Sequence, residues 1–259
     1  MAQRLRVRYA KRGRLRFTSH RDISRAVERA VRRADVPVAF SAGFSPHPRI
    51  SYVGAVAPTG VASEAEYLEI GVTRTCDPDR LRIALDTSLP TGLDVLDVVE
   101  AGTGSLADRL ECSAWEMRLP EADPALARVA VERFTTTERI EVERLTKKGP
   151  RRFDAREAVL SLEVIERTET TAGQASSQPC VILRMVVRHA TPAVRPDDVL
   201  TGLRLVADFA PPVPPEVTRL AQGPLDVHTG KPTDPFDLDR DITRGGETEP
   251  VGPYIGGDL

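Results

Sequence analysis

LRFTSHRDISRAVERAVRRADVPVAFSAGFSPHPR, residues 15–49, decides how the N-terminal part of this chain folds. Ile23, Ala26, Val27, Ala30, Val31 and Ala34 recur at the spacing of one buried helix face. Ser19 and Asp22 stand at capping-box spacing, with Asp in place of the usual Glu or Gln. Asp22 also sits where the helix dipole favours a negative charge. The opposite face carries Arg21, Arg25, Arg29, Arg32 and Arg33, offset only by Glu28. Like charges four residues apart, such as Arg25 and Arg29, cost a helix roughly 0.2–0.5 kcal/mol per pair. Such a row is either a solvated face or an anion site. Arginine forks onto phosphate in a bidentate way, so the row suits a polyphosphate backbone.

Outward from that helix the charge is lopsided. Residues 1–50 hold thirteen Lys and Arg against Asp22, Glu28 and Asp35, a balance of +10 in a 259-residue chain whose net charge is −2. Asymmetry of this size points to an anionic partner at the basic end. No run approaches the roughly 18 apolar residues of a membrane span, and the basic N-terminus lacks the apolar segment of a signal peptide, so a cytoplasmic location is expected. Cys76, Cys112 and Cys180 are odd in number and far apart. They fit neither a disulfide framework nor a zinc or iron–sulfur site.

Leu5, Val7 and Tyr9 alternate with Arg4, Arg6 and Arg8, the pattern of a strand with a basic outer face. That face would double the positive surface of the helix. Lys11 to Arg14 reads as a turn, after which Leu15 and Phe17 resume the strand, and Val36–Phe40 reads as a short strand. A loop over 41–49 follows, then strands over 50–56 and 66–73, a helix opened by Asp77-Pro78-Asp79, and a strand over 93–99. Strand, helix, two strands, helix, strand is the split βαβ pattern of a ferredoxin-like fold. The pattern then restarts with strands over 113–119, 140–146, 159–167 and 181–187 and helices over 125–135 and 195–205. The expected fold is α+β: two tandem ferredoxin-like units with antiparallel sheets, at 1–101 and 113–210, joined by a linker at 102–112. Residues 168–179 read as a flexible hairpin loop. Residues 211–259 read as a Pro/Gly-rich acidic tail, mostly disordered. A solubilising role is expected of the tail, with folding back onto the basic face as the alternative.

His20 lies just before the arginine helix and His47 in the loop SPHPR. If they meet, Ser45, Arg49 and Tyr52 could join them around an anion, and the pair could contact phosphate or act as general acid and base on RNA. Exposed loops held by rigid strands are where binding residues concentrate. Arg16 extends the basic surface, and Phe44 or Tyr52 could stack a base. Lys147, Lys148, Arg151 and Arg152 form a basic turn that could grip a second stretch of backbone. The four histidines have no metal-ligand spacing, and neither a metal nor a cofactor is expected.

The run RLRFTSHRDISRAVERAVRRADVPVAFSAGFSPHPRISY, with GVASEAEYLEI and KKGPRRFDAR further on, resembles the radical-SAM-associated, or radical-SAM-linked, family of uncharacterised bacterial proteins. The resemblance spans roughly residues 3–210. It implies the standalone actinobacterial form, without the cluster cysteines of the radical-SAM enzyme to which the domain is elsewhere fused. No established activity or catalytic residue comes with it. In shape, tandem ferredoxin-like units with a basic face are similar to RNA-binding and RNA-cleaving proteins of the Cas6 type. The expected function is therefore an RNA-binding accessory to tRNA or rRNA modification or maturation, more naturally a binder than an enzyme. The alternatives are a metal-independent endoribonuclease and a protein-docking subunit of a radical-SAM or RNA-processing enzyme.

Overall fold

The computed structural model of the protein describes residues 1–147, 149–165 and 180–240. The N-terminal unit consists of β1 (Gln3–Lys11), α1 (His20–Arg33), β2 (Ile50–Val53), β3 (Ala62–Val72), α2 (Pro78–Ser88) and β4 (Leu93–Glu100). β1 lies between β3 and β4, and β2 pairs with β3, giving the order β4-β1-β3-β2 with every neighbouring pair antiparallel. α1 starts as the sequence dictates: Ser19 Oγ accepts from the Asp22 backbone N–H and donates to the Asp22 carboxylate. Ile23, Val27, Ala30 and Val31 are buried on it, and Ile23, Val27 and Val31 pack on Leu5, Val7 and Tyr9 of β1.

The second unit repeats the plan with β5 (Cys112–Pro120), α3 (Pro124–Thr136), a β6–β7 hairpin (Glu141–Thr146 and Gly149–Asp154), β8 (Val159–Ile165), β9 (Cys180–Arg188), α4 (Pro196–Ala207) and β10 (Glu216–Gly223). Its strand order is β10-β5-β9-β8. Trp115, Met117 and Leu119 of β5 meet Phe134 of α3 and Val199 and Leu203 of α4 in its core. β10 also pairs, in parallel, with the start of β3, through Thr218 with Ala62 and Arg219 with Ser63. The two units therefore share one eight-stranded sheet. The molecule is mixed α+β with mostly antiparallel pairing.

Three sequence expectations need correction. Leu15–Phe17 does not resume a strand, because Gly13–Phe17 is a 3-10 turn leading into α1. Val36–Phe40 makes only isolated bridges, Val38 to Val72 and Phe40 to Pro48. The largest correction concerns the tail. Residues 216–223 are a central strand, the short pair β11 (Leu225–Asp226) and β12 (Lys231–Pro232) follows with β12 against β5, and the chain from 234 to 240 lies on the face of the N-terminal sheet that carries Arg6 and Arg8. Phe236 is fully buried against Tyr67, Val99, Leu106 and Leu110. The expected hairpin loop at 168–179 and residues 241–259 lie outside the described residues. No helix among the described residues is long and apolar enough to cross a membrane.

Candidate nucleic-acid interface

β1 and α1 carry the two arginine rows, and the fold treats them differently. On β1, alternation sends Arg4, Arg6 and Arg8 to the face away from α1. Arg6 is fully buried there. Its guanidinium donates to both carboxylate oxygens of Asp239 at 2.6 and 2.8 Å, to Glu69 at 2.9 Å and to the Gly104 carbonyl at 2.6 Å. Asp239 also accepts from Arg109 at 2.9 Å and from the Gly102 N–H at 3.0 Å. Burial opposes the Asp239 charge, but Arg6 and Arg109 outweigh it and hold the carboxyl below its ordinary value. Arg4 pairs with Glu69 at 3.6 Å and Arg8 with Asp234 at 3.5 Å. Arg12, just beyond, is held by Glu64 and by Asp94 at 2.8 Å. The expectation that β1 would double the basic surface is thus overturned, because Asp234 and Asp239 of the segment after β10, with Glu69 of β3, neutralise its arginines and the segment buries Arg6.

On α1 the row stays open. Arg21, Arg25, Arg29, Arg32 and Arg33 are all exposed, because Ile23, Val27 and Val31 fix which side of the helix meets the sheet. Arg25 has one ion pair, to Asp22 at 3.6 Å. Arg33 donates to the Ser88 carbonyl at the end of α2. Among the described residues, no acid stands within ion-pair distance of Arg21, Arg29, Arg32 or Arg33.

His20 opens α1 and meets Tyr52 of β2 edge-on, with ring centroids 4.7 Å apart. Tyr52 packs against the helix–sheet core, and burial pushes its hydroxyl up to about 12. His47 sits exposed near the end of the loop over 41–49. Its N–H donates to Ser41 Oγ at 3.0 Å and its carbonyl accepts from the Ser41 N–H at 2.8 Å. Among the described residues no hydrogen bond or ring contact joins His20 to His47. Phe44 protrudes fully into solvent from the same loop, and Arg49, also exposed, donates to the Phe40 carbonyl at 3.4 Å. The helix start and β2 thus bring together His20 and Tyr52, while His47, Arg49 and Phe44 belong to the neighbouring loop.

Arg16 and the basic turn lie elsewhere. Arg16 stacks on Phe17 at 4.9 Å and faces Glu216 of β10 at 3.9 Å. Lys147, Arg151 and Arg152 are exposed on the β6–β7 hairpin, which packs on α4 of the second unit. Arg152 is paired with Glu143 at 2.8 Å. Lys148 lies outside the described residues. Among those that are described, no group of His, Cys, Asp and Glu has the arrangement to hold a metal ion.

Sequence reading passed over one group altogether. Lys11, Glu66 and Arg219 are nearly fully buried between the units. Lys11 Nζ donates to the Ala57 and Pro58 carbonyls, both at 2.9 Å, and Arg219 lies 4.8 Å over the Trp115 ring. Only Glu66 and Trp115 stood in stretches already read as strands; Arg219 lay in the supposed tail, where nothing in the local pattern marks it as buried.

The open arginine row can hold an anionic polymer, and the covered one cannot. No curated protein matches the sequence. Residues 4–196, from β1 to the first residue of α4, match a family described as uncharacterised proteins conserved in bacteria, DUF2344, and the chain belongs to that family.

Proposed function

We propose that this chain is a non-catalytic RNA-binding module, built from two ferredoxin-like units, that serves tRNA or rRNA modification or maturation beside a separate radical-SAM enzyme. The orders β4-β1-β3-β2 and β10-β5-β9-β8 support the ferredoxin-like reading. The radical-SAM partner rests on the sequence resemblance alone. One observation carries the RNA reading: acids pair with every arginine of β1, yet Arg21, Arg29, Arg32 and Arg33 on α1 have none among the described residues. A helix that keeps such a row exposed bears repulsion that a phosphate backbone would relieve. Phe44, fully exposed on the adjoining loop, suits stacking on an unpaired base. An endoribonuclease would need two titrating groups at one scissile bond. His20 and His47, the pair considered for acid–base cleavage, make no hydrogen bond or ring contact with each other among the described residues, which supports holding RNA over cutting it.

The test is crosslinking of the protein to RNA in cells, with sequencing of what is recovered and Arg25→Glu/Arg29→Glu as the control. Recovery of a defined tRNA or ribosomal RNA, lost in the charge-reversed variant, is the expected result. Recovery at background, together with a complex formed with an acidic protein, would replace this reading with the docking one.

A further inference from the structure

Between the units, on the helix side of the shared sheet, a cavity of about 220 Å3 lies among the loop from Ala55 to Val61, the strands β5, β9 and β10, and the start of α4. Its walls are largely apolar, with Val56, Val61, Val187, Val194, Val217 and Trp115 contributing. Thr59, Arg195 and Asp197 line it too, with four further polar side chains. Ser113 and Gln222 stand opposite each other across the β5–β10 pair, and a register shift between Arg219 and Ala221 lets Arg219 line the same cavity. His189, the fourth, has Nδ1 at 2.6 Å from the Leu110 carbonyl and Nε2 at 2.6 Å from Ser113 Oγ. Nδ1 therefore carries the proton, and Nε2 accepts from the serine hydroxyl. Burial pushes the His189 pKa down, in keeping with this neutral ring.

Arg219 is among the buried groups the fold leaves wanting, as is the facing Glu66 Oε1. It is 3% exposed, yet among the described residues its Nε and Nη1 have no hydrogen-bond partner. The nearest carboxylate oxygen, on Glu66, stands 3.6 Å from Nη1, an ion-pair contact too long for a hydrogen bond. Gln222 donates from Nε2 to the Ala65 carbonyl at 2.6 Å, but its Oε1 has no partner either. Buried donors and acceptors left unpaired are costly, and proteins rarely keep them without a use. The charge count agrees. Lys11 and Arg219 are two cations around one carboxylate, Glu66, with Lys11 committed to the Ala57 and Pro58 carbonyls.

We propose that this cavity binds a small organic monocarboxylate that carries a hydroxyl or amide N–H beside its carboxylate and an apolar side group. The planar guanidinium of Arg219 takes the carboxylate. Gln222 Oε1 accepts from the adjacent hydroxyl or N–H, and the valines and Trp115 enclose the apolar group, the usual division of labour in a small-molecule pocket. On the wall Arg195 and Asp197 offset one another and Arg219 is the excess cation, which a phosphate monoester, with about −1.5 to −2 charge, would exceed. The site is separate from the α1 arginines and does not depend on the RNA reading.

Trp115 is the only tryptophan in the chain, so its fluorescence reports on the cavity directly. The probes are N-acetyl-L-leucine and 2-hydroxy-4-methylpentanoate, with N-acetyl-L-leucinamide and inorganic phosphate as controls. At least one of the two acids is expected to give a saturable change at about millimolar concentration or below, and the amide none. Arg219→Met should weaken that binding at least tenfold. Val61→Phe, which narrows the cavity and leaves Arg219 in place, should weaken it comparably, and decides the matter should Arg219→Met fail to fold. Arg25→Glu/Arg29→Glu should leave it unchanged. Silence with both acids, equal binding of the amide or of phosphate, or wild-type binding by Val61→Phe would overturn the assignment.

Discussion

Two rows of arginine stand on adjacent elements and have opposite fates. On β1, Arg6 is sealed beneath the C-terminal segment, gripped by Asp239 and Glu69. On α1, an equally dense row faces solvent with one long ion pair to Asp22 and one hydrogen bond from Arg33 to the Ser88 carbonyl. Strand alternation sent the first row to the bare side of the sheet, where burial is affordable only with acids in place. Helical periodicity sent the second row away from the core, where none of the described residues covers it. Positive charge is therefore a fastening in one place and a free surface in the other.

The comparison is broken most forcefully at Arg6. Arg6→Met or Asp239→Leu alone leaves a buried charge without its partner and should cost about 3–5 kcal/mol in urea unfolding. The double variant should recover part of that loss, since neither of these two charges is then stranded while Arg109 still loses its carboxylate. By contrast, Arg29→Gln and Arg32→Gln on α1 should leave stability within about 0.5 kcal/mol of wild type. An α1 substitution as damaging as Arg6→Met would erase the distinction.

Acid sharpens the contrast. The folded-state pKa of Asp239 lies below its unfolded value, so its contribution is present above the ordinary carboxylate range and is lost as pH falls through the folded pKa. Stability measured against pH should thus drop below about pH 4 in wild type, and less steeply in Arg6→Met/Asp239→Leu. A smaller step of the same sign is expected from His189. Its folded pKa is lowered, so below about pH 6.5 the unfolded chain takes up the proton first and folding weakens. His189→Asn should remove that step, read from unfolding midpoints at pH 7.5 and 5.5.

Much of this plan was legible in the chain. The spacing of Ile23, Val27 and Val31, the cap at Ser19 and the alternation of Leu5, Val7 and Tyr9 locate α1 and β1 because helix and strand periods are local properties. β10 was not legible. Glu216–Gly223 follows a proline-rich stretch and offers few apolar side chains, and it becomes a strand because β3 and β5 supply partners on both sides. The role of Asp239 was hidden for the same reason, since its partner Arg6 lies 233 residues away. The one sequence signal was complementarity between a basic strand and an acidic tail, which points to folding back rather than to a solubilising tail. Of the candidate site, the exposure of the α1 arginines could be read from helical phase. That Arg16 and the hairpin arginines stand apart from α1, and that His20 turns to Tyr52, depended on contacts between elements.

The most direct test is the salt dependence of affinity for single-stranded RNA, comparing wild type with Arg21→Gln/Arg29→Gln/Arg32→Gln. Each phosphate contact contributes about 0.7 to the slope of log affinity against log salt, so the triple variant should lose roughly 2 from that slope and bind more weakly at low salt. Arg4→Gln, at an arginine already paired with Glu69, should leave the slope unchanged. Equal slopes for wild type and the triple variant would contradict the account, because the open row would then carry no phosphate.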